Sequence, residues 1–148
     1  MTDYTKYRNI NRGYMKLDVW QKGILLHKLV FKTVYKDNKI DFKIRAQIPD
    51  SAQSVSSNIA EGYCRRSIKE YLQFLYISLA SLGETLTRGI GLVTTEQITS
   101  EQFKRIDELQ YEVENKLLKL VESLENKKDS GSWNNRISED LEEYSTHE

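Results

Sequence analysis

The sequence predicts an all-α protein, and more specifically an antiparallel up-down four-helix bundle. Its 148 residues include one proline and seven glycines, so few positions interrupt a helix. Along four long segments, apolar residues recur at spacings of three and four, the period of a helix with one buried face. The connections between these segments are short, which favours antiparallel neighbours.

Composition narrows the class of protein further. Charged residues make up 30% of the chain and hydrophobic residues 39%, which is ordinary for a single water-soluble domain. The only cysteine, Cys64, excludes an intrachain disulfide and is typical of a reducing compartment. No apolar run approaches the roughly 18 residues of a membrane span, and residues 1–16 lack a signal-peptide core. We therefore expect a cytoplasmic protein without a membrane partner.

Three regions can be distinguished: an N-terminal arm (1–16), the bundle (17–127) and a polar, acidic tail (128–148). Basic and aromatic residues alternate in the arm, which suits either nucleic-acid contact or packing across the bundle, the interpretation we favour. These residues are Tyr4, Lys6, Tyr7, Arg8, Arg12, Tyr14 and Lys16. The tail has three apolar residues at helical spacing, which predicts either a short docking helix or a frayed end: Ile137, Leu141 and Tyr144.

The first helix is predicted from Val19 to Lys36, with Asp18 as N-cap and Gln21 completing a capping box. Six residues at helical spacing form its expected core face: Trp20, Ile24, His27, Phe31, Val34 and Tyr35.

A second side of this helix is also apolar. Lys28, Lys32 and Lys36 form a row at intervals of four residues, and Leu25 and Leu29 lie beside it. Because a soluble protein covers extended apolar surface, Leu25 and Leu29 are candidates for an oligomer interface.

The second helix is predicted from Phe42 to Ala60, with Pro49 inside its pattern. Proline removes a helical hydrogen bond, so Pro49 predicts either a kink or a helix that starts there after an irregular segment. Gly62 is expected to end the helix in a left-handed conformation.

Caps mark the remaining two helices. Ser67 and Glu70 form a capping box before the third helix, which is expected to fray near Gly89 and Gly91. The fourth helix is predicted from Ser100 to Asn126, with Thr99 or Ser100 as its N-cap.

The sequence offers little catalytic chemistry. The two histidines, His27 and His147, have no glutamate three residues before them, so a ferritin-like metal site is not expected. His27 fits a core histidine, and Cys64 beside two arginines fits an incidental thiol. We predict no enzyme, cofactor or metal; the alternative is a polar pocket formed by Glu61, Glu84 and Arg65.

One polar motif stands out between the second and third helices. Its residues are Asn58, Glu61, Gly62, Arg65, Ser67 and Glu70, with Glu84 further along. The favoured interpretation is a structural corner stabilised by caps and ion pairs. The alternative is a polar patch that binds a partner.

At this motif the chain resembles the four-helix-bundle family named for proteins encoded in 23S rRNA intervening sequences. The resemblance covers about residues 15–125. The matching residues are Leu17-Asp18-Val19-Trp20-Gln21-Lys22, Gln47-Ile48, Asn58-Ile59-Ala60-Glu61-Gly62, Arg65 with Ser67, Lys69-Glu70-Tyr71, Phe74-Leu75 with Ile77, and Ser81 with Glu84.

This resemblance implies an up-down bundle and ring-like homo-oligomers, expected to be pentamers, but no defined activity. Accessory proteins of diversity-generating retroelements use a related fold to bind a reverse transcriptase and nucleic acid, a likeness of fold only. Two departures stand out. Family members often carry two arginines where this chain has Pro49 and Asp50, so any contact that those arginines make is weakened here. They also often carry a glycine where this chain has Ala80.

Charge is unevenly distributed along the chain. Residues 1–95 hold 15 Lys and Arg against 8 Asp and Glu, a net charge of +7, and residues 96–148 hold 7 against 14, a net charge of −7. Complementary packing is the favoured explanation; a basic face for an acidic partner is the other.

Two non-catalytic functions remain open. The first is a homo-oligomer that binds RNA or DNA through a basic face comprising Lys22, Lys28, Lys32, Lys36, Arg45, Arg65 and Arg66. The second is a scaffold that binds a protein partner. The overall neutral charge counts against the first.

Overall fold

The computed structural model describes residues 12–131, and the predicted all-α bundle is confirmed. A 3-10 turn at Gly13–Lys16 precedes helix α1 (Asp18–Tyr35). A one-turn helix, α2 (Phe42–Arg45), is followed by three long helices: α3 (Gln47–Tyr63), α4 (Ile68–Thr94) and α5 (Ser100–Ser130). The four long helices pack mainly in the cyclic order α1, α3, α4, α5.

Hydroxyl groups join α3 to α4, and we call this set the hydroxyl ladder. Ser78 Oγ donates to the Val55 carbonyl at 2.8 Å, Ser81 Oγ to Ser54 Oγ at 3.0 Å, and Thr85 Oγ1 to Ser51 Oγ at 3.0 Å. Residue numbers fall along α3 as they rise along α4, so these two helices run in opposite directions.

The ion pairs between α1 and α5 show that these two helices also run in opposite directions. Asp18 pairs with Lys116, and one turn later Lys22 pairs with Glu112 at 3.4 Å.

The core face of α1 differs from the predicted one. Trp20 and Val34 are buried as expected, but Phe31 is 40% exposed and His27 is half-buried. The core side of α1 is formed instead by Val19, Gly23, Leu26, Val30 and Thr33. Apolar residues cover a wide arc of this helix, and periodicity alone does not show which edge of such an arc faces inward.

The predicted cap of α1 is also wrong. Asp18 is the first residue of the helix and pairs with Lys116, while Leu17 holds the N-cap position without a side-chain bond. Gln21 Nε2 donates to the Met15 carbonyl at 2.8 Å instead of completing a capping box. This bond ties α1 to the preceding 3-10 turn.

The second predicted helix is divided. α2 ends at Arg45, and α3 begins two residues later at Gln47. Pro49 is therefore the third residue of α3, where its missing N–H costs no intrahelical hydrogen bond.

Gly62 does not end α3, which continues to Tyr63. A Cβ at Gly62 would lie 2.8 Å from Phe74 Cβ and 2.9 Å from Tyr71 Cδ2. A glycine is needed here because α3 and α4 approach closely, and not because the backbone is left-handed.

The N-cap residues of α4 and α5 are confirmed, but the structure shows only the Ser67 half of the capping box predicted for α4. Ser67 Oγ accepts from the Glu70 backbone N–H at 3.2 Å, and Thr99 and Gln102 form a complete capping box. α4 runs through both of its late glycines to Thr94, and α5 continues past the predicted end to Ser130, where left-handed Gly131 caps it.

Most of the arm and the tail lie outside the described residues, including Ile137, Leu141 and Tyr144 of the predicted short helix. Within residues 12–16, the Tyr14 ring packs edge-on against Trp20 and Tyr63, at centroid distances of 5.6 Å and 6.2 Å.

Candidate nucleic-acid interface

Five planar side chains follow one another along α1 and across to α2, and we call them the planar column. The His27 ring lies edge-on to Phe31, with centroids 6.4 Å apart. Phe31 stacks on Tyr35 at 4.6 Å with an interplanar angle of 20°. The Arg45 guanidinium lies 4.8 Å from the centre of the Tyr35 ring and 5.7 Å from that of Phe42. The column therefore joins α1 to α2.

Both aromatic ends of the stacked part are open to solvent. Phe31 is 40% exposed and Phe42 is 66% exposed. Arg45 lies between them and is half-buried, and its Nε finds no hydrogen-bond acceptor among residues 12–131. Since two rings flank this guanidinium, cation–π attraction offsets part of its lost hydration.

Beside the column runs the lysine row, which consists of Lys28, Lys32 and Lys36. All three are exposed. They line an apolar groove of about 380 Å³ together with His27 and Phe31. Among the described residues, none of the three lysines has a carboxylate within ion-pair distance. Their charges are therefore available to a ligand.

His27 differs from the satisfied core histidine that was expected. Partial burial lowers the pKa of its imidazole below the ordinary value of 6.5, and the carboxylate of Asp50 on α3 opposes this shift. His27 is therefore mainly neutral at pH 7 and adds an aromatic edge rather than a charge to the groove.

The other predicted basic residues lie away from the planar column. Lys22 is paired with Glu112 of α5. Arg65 lies over the Phe74 ring at 4.6 Å, and it and Arg66 are exposed at the α3–α4 corner. Of the seven predicted basic residues, only the lysine row and Arg45 lie at the planar column.

At the corner motif, caps are present, but only one of the expected ion pairs is seen among the described residues. Asn58 Nδ2 donates to the Ser54 carbonyl at 2.7 Å, a bond within α3. Glu84 pairs with Arg88 at 3.0 Å. Glu61 is exposed and lines a shallow groove with Cys64 and Arg65. The structural interpretation therefore keeps its caps, while Arg65 stacks on a ring instead of pairing with a carboxylate.

The proposed interface leucines are only partly exposed. Leu25 and Leu29 are half-buried, and Leu29 packs against the core. Five more exposed apolar residues lie on α4 and α5, one of which is Ile77 at 48%. We call the other four the outer strip: Tyr76, Ile90, Tyr111 and Leu118, exposed by 49%, 44%, 68% and 46%. The Tyr76 hydroxyl donates to Glu125 Oε1 at 2.8 Å and so joins the two helices on this side. This strip was not predicted from the sequence, although Tyr111 and Leu118 are seven residues apart and so lie on one side of α5.

Between residues 12 and 131, no group of three or more His, Cys, Asp or Glu side chains is arranged to hold a metal ion. No described helix is long and apolar enough to cross a membrane.

Residues 15–119 match the family described as 23S rRNA-intervening sequence protein, a stretch that includes the lysine row and the whole planar column. The chain belongs to this family. The comparison of this 23S rRNA-intervening sequence protein with curated proteins gives no match.

Among solved structures, the protein is similar to a protein of unknown function from the S23 ribosomal protein family of Bacteroides thetaiotaomicron VPI-5482. The two chains are 25% identical, with a TM-score of 0.65. The similarity covers 70% of this chain and 95% of the other. The family and its bundle fold are therefore established, and neither description names an activity.

Proposed function

We propose that this protein is a non-enzymatic RNA-binding protein and that the lysine row is its main contact with phosphate. The observation that carries the proposal is that Lys28, Lys32 and Lys36 lie exposed on one groove, beside an exposed aromatic ring and without carboxylate partners among the described residues. Lysines that neutralise phosphates release condensed counterions, which drives binding at low salt. The family's link to rRNA favours RNA over DNA.

The overall neutral charge does not oppose this proposal as strongly as it does from the sequence alone. Most of the excess positive charge lies before residue 96, and most of the excess negative charge lies after it. On the side of α1 that packs against α5, Lys22 is paired with Glu112 and its charge is neutralised. The lysine row is thus a local basic surface on a neutral protein, and local fields are what steer a charged ligand.

Binding to labelled RNA at low and moderate salt, about 50 mM and 200 mM, tests the proposal. Replacing Lys28, Lys32 and Lys36 by glutamine is expected to reduce the salt slope of log K by about three, or one per lysine. The matched control replaces three exposed lysines of α4 and α5: Lys69, Lys104 and Lys119. An equal loss in both triple variants, or salt-independent binding by the wild type, would contradict the proposal.

A homo-oligomer is the second part of the proposal, and the outer strip supports it. Isolated exposed apolar residues are common, but four large ones on two adjacent helices favour a protein contact. The strip lies on α4 and α5, and the lysine row on α1. Copies that associate through the strip therefore keep their lysine rows accessible, and repeated weak sites gain avidity. A ring, and a pentamer in particular, is the state that the resemblance implies.

Solution mass distinguishes this assembly from a scaffold that binds another protein. We expect the wild type to be larger than a monomer and Leu118→Glu with Tyr111→Glu to reduce its mass. Leu25→Gln tests the interface first suggested by the sequence and is expected to leave the mass unchanged. A monomeric wild type would favour a heterologous partner on the strip. The cytoplasmic location stays a prediction.

A further inference from the structure

We infer that the ligand is single-stranded RNA, with its bases stacked on the planar column while its phosphates contact the lysine row. This inference rests on the proposed function and specifies the ligand of the same site. It depends on the arrangement of the rings, which the charge of the site does not determine.

The planar column presents open aromatic surface. Phe31 and Phe42 are 40% and 66% exposed, and Phe31 already stacks nearly parallel on Tyr35. Stacking on aromatic rings is the main contact that proteins make with unpaired bases, and it tolerates any sequence because every base has a π-face. The bases of a duplex are already stacked on each other, so a duplex cannot use these rings.

Rings and charges also follow the same helix side by side. Phe31 lies between Lys28 and Lys32 in sequence, and Tyr35 directly precedes Lys36. The row extends about 12 Å along the helix, since eight residues rise about 1.5 Å each. At about 3.4 Å per stacked nucleotide, this length corresponds to three or four nucleotides. One strand can therefore place bases and phosphates on adjacent parts of the surface.

Phe42 is held in place before any ligand arrives. Asp41 caps α2 by accepting from the Lys43 backbone N–H at 3.0 Å. The Arg45 guanidinium lies between Phe42 and Tyr35, within 5.7 Å and 4.8 Å of the two ring centres. A ring that is already positioned loses less conformational entropy on binding.

The test compares a short single-stranded RNA with the duplex of the same sequence, using the full chain. We expect the wild type to prefer the single strand and Phe42→Leu to weaken single-strand binding about tenfold, with little effect on the duplex. Ile77→Ala, which removes an exposed apolar side chain of α4 that belongs to neither the planar column nor the outer strip, is the control and is expected to change neither. A strand containing 2-aminopurine should lose fluorescence on binding to the wild type and less on binding to Phe42→Leu.

The outcomes separate the two proposals. If the lysine variants lose RNA while Phe42→Leu and Phe31→Leu bind like the wild type, the lysine row stands as the RNA site and the stacking inference is overturned. A duplex bound as tightly as the single strand would also overturn it. If the wild type binds no RNA at low salt, the proposed function itself is wrong. Circular dichroism confirms that each variant is folded.

Discussion

The Cβ atom that Gly62 lacks would lie 2.8 Å from the Cβ of Phe74. Tyr71 adds a second obstacle, with its Cδ2 at 2.9 Å and its carbonyl oxygen at 3.1 Å. These neighbours belong to the first two turns of α4 and cannot retreat as the end of a flexible side chain can. We expect Gly62→Ala to lower the free energy of unfolding by about 1–3 kcal/mol, the usual cost of overpacking.

Gly83 provides the matched control, because nothing lies within 4 Å of the Cβ it would gain. Alanine is a better helix former than glycine, so Gly83→Ala is expected to raise the free energy of unfolding by roughly 0.5–1 kcal/mol. Urea titrations of both variants measure the two effects. Equal changes of the same sign would show that the close approach at Gly62 has no energetic weight.

Removing one hydroxyl of the ladder should have a modest cost. Thr85 Oγ1 is fully buried and lies 3.0 Å from Ser51 Oγ, which itself donates to the Ile48 carbonyl at 2.9 Å. Thr85→Val keeps the shape of the side chain and leaves Ser51 with its own acceptor. We expect a loss of about 1 kcal/mol in thermal or urea unfolding. Thr87→Val changes an exposed threonine of the same helix, and its free energy of unfolding should be close to that of the wild type.

Gln110 is the one large polar side chain of α5 that is fully buried, at 1% exposure. Its Nε2 donates to the Leu82 carbonyl, while its Oε1 has no hydrogen-bond partner in the described part of the chain. Gln110→Met removes this unpaired oxygen and keeps most of the volume, so we expect stability to be unchanged or raised by about 1 kcal/mol. Gln110→Ala leaves a cavity and is expected to lower the free energy of unfolding by about 2–3 kcal/mol. A methionine variant as unstable as the alanine variant would mean that the Leu82 bond outweighs the unpaired oxygen.

His27 gives a pH dependence of defined sign. Burial lowers its pKa below the unfolded value of about 6.5. The unfolded chain therefore takes up the proton first as pH falls, and stability present above pH 6.5 is lost as pH falls through the lower, folded pKa. Urea midpoints measured from pH 7.5 to pH 5 should decrease in the wild type and decrease less in His27→Gln. A midpoint that rises on acidification would show that Asp50 outweighs burial.

Caps were enough to predict where α4 and α5 begin, and the reason can be seen at Ser67 and Thr99. Each is a local signal whose hydrogen bond closes within three residues, so no knowledge of the rest of the fold is needed. Gly62 shows the limit of such signals. Its position after an apolar run suggests a helix end, but its actual role depends on Tyr71 and Phe74, which only the packing of α4 against α3 brings near.

The candidate site was predicted in part for a similar reason. The lysine row is visible in the sequence because its members lie on one helix at a fixed interval. The planar column is not visible in the sequence, because the apolar pattern places Phe31 in the core and Arg45 in one continuous helix. The structure exposes Phe31 and divides that helix. Tyr35 and Phe42 are seven positions apart and Arg45 follows both in sequence. This spacing gives no periodic signal, so the place of Arg45 between the two rings could not be inferred.

The short connection between α3 and α4, residues 64–67, also has a kinetic consequence. The hydroxyl ladder and the Gly62 contact join residues within one helical hairpin, so they form after the closure of small loops. Contacts between α1 and α5 require distant parts of the chain to meet, as Asp18 and Lys116 do across 98 positions. The α3–α4 hairpin is therefore expected to be structured early in folding, with α1 and α5 completing the bundle around it.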